Sequence, residues 1–414
     1  MMQQMSFTSS HLATPSVAAP AVKVACAIGD EEAEAATVSV IRQPGTGDGA
    51  EKLEDIQLDV GESHLEKRTP LEPAELTLQK SVLRNGRYEN PWPTWQTLSM
   101  ARVLKFAIFS MNHSNIPDKK VLDETLPILK PDFDLLAKPP ENGIRTTWIG
   151  HATVLIQMDN ITLLTDPIFS ERCSPVQFIG IKRYRSAACQ VDELPEINAV
   201  VISHNHYDHL DSNSVRMLNN RFGASLRWYV PFGLKSWMQD MSCDNVVELD
   251  WWEEDAVPGF RGVKVAFVPA QHWSKRTLTN DYKVLWGGFC VIGPWNRFYF
   301  AGDTGYNNTL FKEIGQKYGP FQLAAVPIGA YEPRWFLRPQ HLDPSDAVLV
   351  HKDVQALQSV AIHWGTFNLT FEYYLEPPEK LAEALRKHNL TEMDFFTLNH
   401  GETRLTGNDY NRVN

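Results

Sequence analysis

The sequence has few cysteines, no excess of basic charge and no long apolar run, and each absence excludes a class of protein. The net charge of -11 argues against a nucleic-acid binder, because neutralising phosphates needs a basic face. An odd number of cysteines without a C-x-x-C pair argues against a disulfide framework and a thiolate zinc site, and predicts a reducing, cytosolic setting. The five cysteines are Cys26, Cys173, Cys189, Cys243 and Cys290.

Membrane-spanning and secretory segments are not indicated either. Apolar residues nowhere continue for the roughly 20 positions that a spanning helix requires. The first segment lacks a charged n-region, and Pro15, Pro20 and Lys23 interrupt its run of small residues, so a cleaved signal peptide is not expected. Any contact with a membrane is therefore predicted to be peripheral.

Composition along the chain predicts three parts. Residues 1–59 are rich in Ala, Ser, Thr, Gln and Glu without a sustained period, which predicts a disordered tail. Residues 60–141 form an N-terminal extension, in which the mainly apolar stretch 98–111 predicts a helix. Its apolar side chains surround the helix, so a membrane-contacting helix and a buried core helix both remain open. Residues 142–414 form the predicted catalytic domain.

Short apolar runs alternate with turn signals and polar helical segments after residue 142, a pattern typical of an α/β layer architecture. Five runs precede a residue that can bind a metal, and strand ends that meet at one sheet edge are where such folds place their chemistry. Asp343-Pro344 and Pro377-Pro378 predict helix starts. The runs are residues 197–202 before His204, 263–268 before His272, 298–300 before Asp303, 323–328 before His341, and 359–362 before His363.

The densest cluster of potential ligands follows the first of these runs. His204 and His206 point the same way if the backbone is extended, so two imidazoles can hold one ion, whereas a turn directs Asp208 and His209 toward a second. Nitrogen and oxygen ligands favour zinc, although iron or manganese would accept the same mixture. The alternative is a polar loop with a chance group of histidines, which the distant partner residues disfavour.

The order H-x-H-x-D-H, then a distant His, Gly-Asp-Thr and His, resembles the metallo-β-lactamase superfamily over residues 146–414. The resemblance implies a four-layer αβ/βα sandwich that holds two Zn²⁺ ions per chain. A metal-activated water would be the nucleophile. By this resemblance His204, His206 and His272 hold the first ion, Asp208, His209 and His363 hold the second, and Asp303 bridges both.

Five shorter segments narrow the resemblance to the N-acylphosphatidylethanolamine-hydrolysing phospholipase D family, over residues 88–414. This resemblance implies cleavage of N-acylphosphatidylethanolamine into N-acylethanolamine and phosphatidic acid at the cytosolic face of internal membranes such as Golgi and endosomes. It also implies a homodimer and a bile-acid effector. The matching segments are residues 148–156, 164–169, 271–278, 328–331 and 363–367.

Several residues beside the ligands are candidates for supporting roles. With the resemblance, Asp166 is expected to accept the free N–H of a metal-bound imidazole, and His151 could act similarly, although each also fits a structural role. The candidate catalytic residues are Asp303, which would orient the nucleophile, His341, which would assist the leaving side, and Asp166. The candidate substrate-binding residues are Tyr207, His341 and Lys275; a packed aromatic ring, a helix-capping histidine and a solvated pair Lys275–Arg276 are the respective alternatives.

Two other functions remain open from the sequence. One is a lactonase or phosphodiesterase of the same fold that acts on a soluble substrate, which the aromatic-rich segment before Met111 disfavours. The other is a non-catalytic lipid or bile-acid binding scaffold. A complete ligand set disfavours that alternative, because a scaffold would be free to lose its histidines.

Overall fold

Two seven-stranded sheets form the centre of the computed structural model, which describes residues 78–97, 105, 112–277 and 279–407. From edge to edge, the first sheet contains the strands Val246–Leu249, Arg227–Pro231, Ala199–Val201, Ile161–Thr165, Thr153–Met158, Ile144–Gly150 and Thr403–Thr406. The second contains Glu254–Ala256, Lys264–Val268, Gly288–Ile292, Arg297–Phe300, Phe321–Pro327, Ala356–Ile362 and Phe395–Phe396.

Alternate residues of the central strands enter two different cores. In the strand Thr153–Met158, the side chains of Val154, Ile156 and Met158 belong to the cluster that includes Phe300 of the second sheet. Leu155, between them, belongs to a second cluster on the opposite face. Because side chains alternate across a strand, a strand buried on both faces requires a layer on each side. The predicted four-layer αβ/βα sandwich is confirmed.

Helices cover the outer faces of the sheets. Ser212–Phe222 buries Val215 and Leu218 in the second cluster. The predicted helix start at Asp343-Pro344 is confirmed, since the Asp343 side chain caps the helix by accepting from the Asp346 N–H. The helix predicted at Pro377-Pro378 is confirmed as Glu376–Lys387. The helix capped by Asp343 spans Pro344–Asp353. The other helices with bounds within the described residues are Lys119–Thr125, Phe133–Leu136, Lys235–Asp240, Asn308–Tyr318 and Arg334–Leu337, with short 3₁₀ turns at Val191–Glu193 and Gly223–Ser225.

The described residues also form two small hairpins: Val82–Arg84 with Arg87–Glu89, and Arg172–Cys173 with Ile181–Lys182. Near the first hairpin, the Trp92 ring stacks on Trp251 at 6.1 Å. The predicted tail, and the predicted helix 98–111 apart from Lys105, lie outside the described residues. Within those residues, no helix has the length and apolarity needed to cross a membrane.

The five strands predicted before candidate ligands are confirmed, with shifted bounds. Neighbouring parallel strands in each sheet bring their carboxyl ends to the same edge, where the chain enters the ligand-bearing loops. The candidate site therefore lies along one edge of both sheets. The observed strands are Ala199–Val201, Lys264–Val268, Arg297–Phe300, Phe321–Pro327 and Ala356–Ile362.

Candidate metal centre

Three imidazoles converge in the first group of potential ligands. His204 Nε2 lies 2.8 Å from His206 Nδ1, and His272 Nε2 lies 3.3 Å from the same atom. The rings stand nearly perpendicular to one another, at 80° to 84°. Nitrogen lone pairs that face one another repel unless a proton or a cation lies between them. The structure thus brings the three histidines predicted for the first ion into one group.

Oxygen acceptors behind two of these rings fix their orientation. His272 Nδ1 lies 2.9 Å from the carbonyl oxygen of Gln340. His204 Nδ1 lies 2.9 Å from the Ser203 hydroxyl, whose own proton is donated to Asp166. A ring that donates from Nδ1 keeps the Nε2 lone pair for a metal. Both rings are therefore held in the tautomer that a metal site requires.

A second group lies beside the first. His209 Nε2 and His363 Nε2 are 3.1 Å apart, and they lie 3.3 Å and 3.5 Å from Asp208 Oδ2. His151 joins them, with Nε2 2.9 Å from the same carboxylate oxygen. These four residues form one of the groups that can hold a metal ion. The three residues predicted for the second ion are thus together, and His151 contacts one of them directly.

The Asp303 carboxylate lies between the two groups. Oδ2 is 3.2 Å from His209 Nε2 and 3.8 Å from His272 Nε2, and Oδ1 is 3.1 Å from His363 Nε2. One carboxylate therefore faces histidines of both groups. This position agrees with the bridging role implied by the resemblance, which stays a prediction.

The first group presents neutral imidazoles. Burial lowers the pKa of His206 to about 4 and holds the pKa of His204 and His272 well below the usual value. An uncharged ring offers the lone pair that a metal ligand needs. His341 is equally affected, because burial lowers its pKa to about 4.

The second group carries charge of both signs. Burial alone would lower the pKa of His209 and His363, but Asp303 and Asp208 outweigh it, so the pKa of His209 lies well above its usual value and that of His363 rises to about 9. Burial would likewise raise the pKa of the two carboxyls, yet the neighbouring histidines hold both well below their usual range. A metal ion would take the place of the histidine protons.

The donor set fits bound metal. Among the described residues, buried His206 Nε2 and His363 Nδ1 have no hydrogen-bonding partner, while the other nitrogen of each ring faces a second imidazole. Such crowding of buried donor atoms is costly unless a cation satisfies them. Imidazole nitrogens and carboxylate oxygens without sulfur are ligands that zinc and several other divalent metals accept.

Asp166 holds one histidine of the second group, His209, by a hydrogen bond. The residue directly follows the strand Ile161–Thr165, and its fully buried carboxylate accepts from His209 Nδ1 at 2.6 Å. The other oxygen accepts from the Ser203 N–H at 2.7 Å. Asp166 therefore contacts a candidate ligand through its free ring nitrogen, the position expected from the sequence.

We expect Asp166→Asn to weaken metal binding ~10- to 100-fold, because a neutral amide has one acceptor oxygen where the carboxylate has two. Competition with a chromophoric chelator measures the affinity. Asp159→Asn is the matched control, since Asp159 accepts from Asn296 in a turn at the opposite edge of the sheet. Equal losses in the two variants would show that Asp166 acts only through stability.

The predicted substrate-side residues have different surroundings. His341 lies at the centre, with Nδ1 3.9 Å from Asp303 Oδ2. The Tyr207 hydroxyl donates to the carbonyl oxygen of Arg276 at 2.7 Å, so its proton is not directed at a phosphoryl oxygen. Lys275 is half-buried beside that pair.

Arg276 is not the exposed cation considered from the sequence. Its guanidinium donates to the carbonyl oxygens of Asn205 and Leu210 and to the Ser212 hydroxyl. It also lies 4.2 Å from the centre of the Tyr207 ring. Arg276 thus secures the loop that carries four candidate ligands, a role that the sequence analysis missed. The Gln340 carbonyl was missed as well, because a backbone acceptor has no residue-type signal.

The chain is similar to known proteins over most of its length. Residues 162–364 match the beta-lactamase superfamily domain. The N-acyl-phosphatidylethanolamine-hydrolyzing phospholipase D 1 of Caenorhabditis elegans is 42% identical over 333 residues, which cover 77% of this chain and 93% of the relative. The mitochondrial N-acyl-phosphatidylethanolamine-hydrolyzing phospholipase D of Saccharomyces cerevisiae is 33% identical over 350 residues, which cover 74% of each chain.

A solved structure supports the fold alone. The isothiocyanate hydrolase from Delia radicum gut bacteria superimposes with a TM-score of 0.50 at 19% identity, covering 63% of this chain and 98% of the other. Fold, donor groups and relatives together indicate a metal-dependent hydrolase. The chain belongs to the N-acyl-phosphatidylethanolamine-hydrolyzing phospholipase D family, within the β-lactamase superfamily.

Proposed function

We propose that this protein is a zinc-dependent phospholipase D-type hydrolase that cleaves N-acylphosphatidylethanolamine into N-acylethanolamine and phosphatidic acid. The main observation behind this proposal is that the two groups of potential metal ligands face one shared carboxylate, Asp303. The relatives of this chain are named for the same activity. Paired metal sites with a shared ligand suit in-line displacement at phosphorus.

Each of the two groups of potential ligands is proposed to hold one metal ion. A bound zinc pair supplies Lewis-acid polarisation of a phosphoryl oxygen and lowers the pKa of water. The chain provides the orientation: Gln340, Ser203 and Asp166 hold three of the rings by hydrogen bonds. The proposed ligands are His204, His206 and His272 for the first ion, Asp208, His209 and His363 for the second, and Asp303 for both.

The proposed reaction adds the oxygen of water to phosphorus and breaks the bond from phosphorus to the ethanolamide oxygen. That oxygen takes a proton and leaves as N-acylethanolamine, and phosphatidic acid remains. We assign His341 to the leaving side, where its neutral ring can donate one N–H to a substrate oxygen. Tyr207 and Lys275 are proposed to border the headgroup.

Hydrolysis in ¹⁸O-labelled water tests the position of cleavage. Attack at phosphorus places the label in the phosphate of phosphatidic acid, whereas attack at carbon places it in the hydroxyl of N-acylethanolamine. Mass spectrometry of both products separates these results. Label in the ethanolamide, or release of a free fatty acid instead, would contradict the proposal.

We expect His341→Gln to lower kcat on N-acylphosphatidylethanolamine ~100-fold while the metal content stays unchanged, since His341 is proposed to touch the substrate and not an ion. Steady-state kinetics and elemental analysis of the same sample measure both quantities. A variant that loses metal in proportion to activity would make His341 a ligand instead.

The remaining implications of the family resemblance are proposed with the function. They are peripheral contact with the cytosolic face of Golgi and endosomal membranes, a homodimer, and a bile-acid effector. The relatives whose names specify a membrane phospholipid as substrate support the membrane contact.

A further inference from the structure

The hairpin formed by Arg172–Cys173 and Ile181–Lys182 carries an exposed apolar tip. Phe178 is 84% exposed, Ile179 is 64% exposed, and Ile181 is 42% exposed. We call these three side chains the apolar tip. Single exposed apolar residues are ordinary, but a contiguous group at the end of a projecting hairpin marks a surface that contacts another apolar phase.

The apolar tip is held by a specific loop. The Arg172 guanidinium donates to the carbonyl oxygens of Gln177 and Gly180. The Gln177 side chain both accepts from and donates to the Arg172 backbone. Gly180 has φ +107°, and a Cβ there would lie 2.6 Å from the Ser174 Cβ. The loop is thus closed by its own hydrogen bonds while its apolar side chains point outward.

The hairpin that carries the apolar tip contains two cations, Arg172 and Lys182, and no acidic residue, in a chain with a net charge of -11. Residues 172–191 contain no Asp or Glu. At the base of the hairpin, Lys182 pairs with Glu171 at 3.3 Å. An apolar group beside cations fits a lipid surface that contains anionic headgroups, because acyl chains take up the apolar atoms and phosphates attract the cations. Arg172 and Lys182 are the cations that reach the surface on this hairpin, whereas Arg183 and Arg185 are buried and bonded within the protein.

The hairpin is connected to the candidate metal centre by direct packing. The Arg183 guanidinium lies 5.0 Å from the Phe367 ring centre, and the two residues form a β-bridge. Phe367 packs edge-on against His151 at 5.1 Å, and His151 contacts the Asp208 carboxylate. A surface bound at the apolar tip would therefore lie beside the metal centre.

We propose that the apolar tip inserts into the surface of a phospholipid bilayer that contains anionic headgroups, and thereby holds the metal centre at the membrane. The occupant is a lipid surface, not a second protein. This inference rests on the proposed function, which explains why the protein would bind a membrane. Binding to vesicles can nevertheless be measured without turnover.

Vesicle sedimentation with the full chain tests the inference. The probe is a vesicle of phosphatidylcholine and phosphatidylserine without N-acylphosphatidylethanolamine. We expect the double variant Phe178→Ser/Ile179→Ser to bind at least ~10-fold more weakly than the wild type, because each side chain loses apolar burial in the bilayer. Trp295→Ser is the matched control: Trp295 is 80% exposed in the turn between Gly288–Ile292 and Arg297–Phe300, away from the ligand loops.

Unchanged binding by the double variant, or an equal loss in Trp295→Ser, would overturn the inference. A fall in mass by light scattering with unchanged vesicle binding would also overturn it, since the apolar tip would then join two copies of the chain. Thermal unfolding of each variant excludes a folding defect. If the wild type binds vesicles through the apolar tip but cleaves no N-acylphosphatidylethanolamine, the proposed function fails and this inference stands.

Discussion

Replacing Asp208 by Asn is expected to lower turnover of N-acylphosphatidylethanolamine at least ~10³-fold, the loss that corresponds to about 4 kcal/mol of transition-state stabilisation. One oxygen of this carboxylate lies within 3.5 Å of both His209 Nε2 and His363 Nε2 and also meets His151. The amide keeps the shape of the side chain but removes the negative charge that would balance a metal ion. We therefore also expect the metal content to fall.

Activity assays and elemental analysis of Asp208→Asn measure the two losses, and Asp192→Asn is the control. Asp192 is an exposed carboxylate in the turn Val191–Glu193, outside the candidate metal centre. The control should retain both activity and metal. Substantial turnover in Asp208→Asn would refute its proposed role as a ligand.

Replacing Gly302 by Ala is expected to lower the free energy of unfolding by about 2–4 kcal/mol and to weaken metal binding. Gly302 has φ +60°, and a Cβ there would lie 2.7 Å from the Ser203 Cβ and 2.8 Å from the Gly287 carbonyl oxygen. The strain of the left-handed backbone and the overpacking by the added methyl group therefore both lower the free energy of unfolding. Because Ser203 contacts Asp166 and His204, its displacement disturbs the candidate ligands.

Urea unfolding in the presence of a chelator measures the stability of Gly302→Ala without a contribution from metal. Gly259→Ala separates strain from overpacking: Gly259 has φ +84° but no atom within 4 Å of its built Cβ. That control should lose only about 1–2 kcal/mol. Equal losses of unfolding free energy in the two variants would show that the close approach to Ser203 does not contribute to the destabilisation.

The sequence predicts the parts of the site that depend on local spacing. His204, His206, Asp208 and His209 follow one strand within six residues, so their proximity is evident from the spacing alone. The sandwich was implied by resemblance, because alternating strands and helices alone do not specify how two sheets pair.

The contacts that orient the rings could not be predicted in the same way. His272 donates to the Gln340 carbonyl oxygen, 68 residues away, and any residue type could provide that oxygen. The Arg276 guanidinium faces carbonyl oxygens of the ligand loop, although its sequence neighbours suggested a surface position. Both contacts depend on tertiary folding, which brings distant backbone atoms to the same sheet edge.

Metal content and lipid turnover, measured on one purified sample, test the central claim most directly. Elemental analysis counts the ions per chain, and release of N-acylethanolamine from vesicles that contain N-acylphosphatidylethanolamine is followed with and without a chelator. We predict two zinc ions per chain and turnover that the chelator abolishes and added zinc restores. Turnover that survives complete removal of metal, or two bound zinc ions without cleavage of this lipid, would contradict the account.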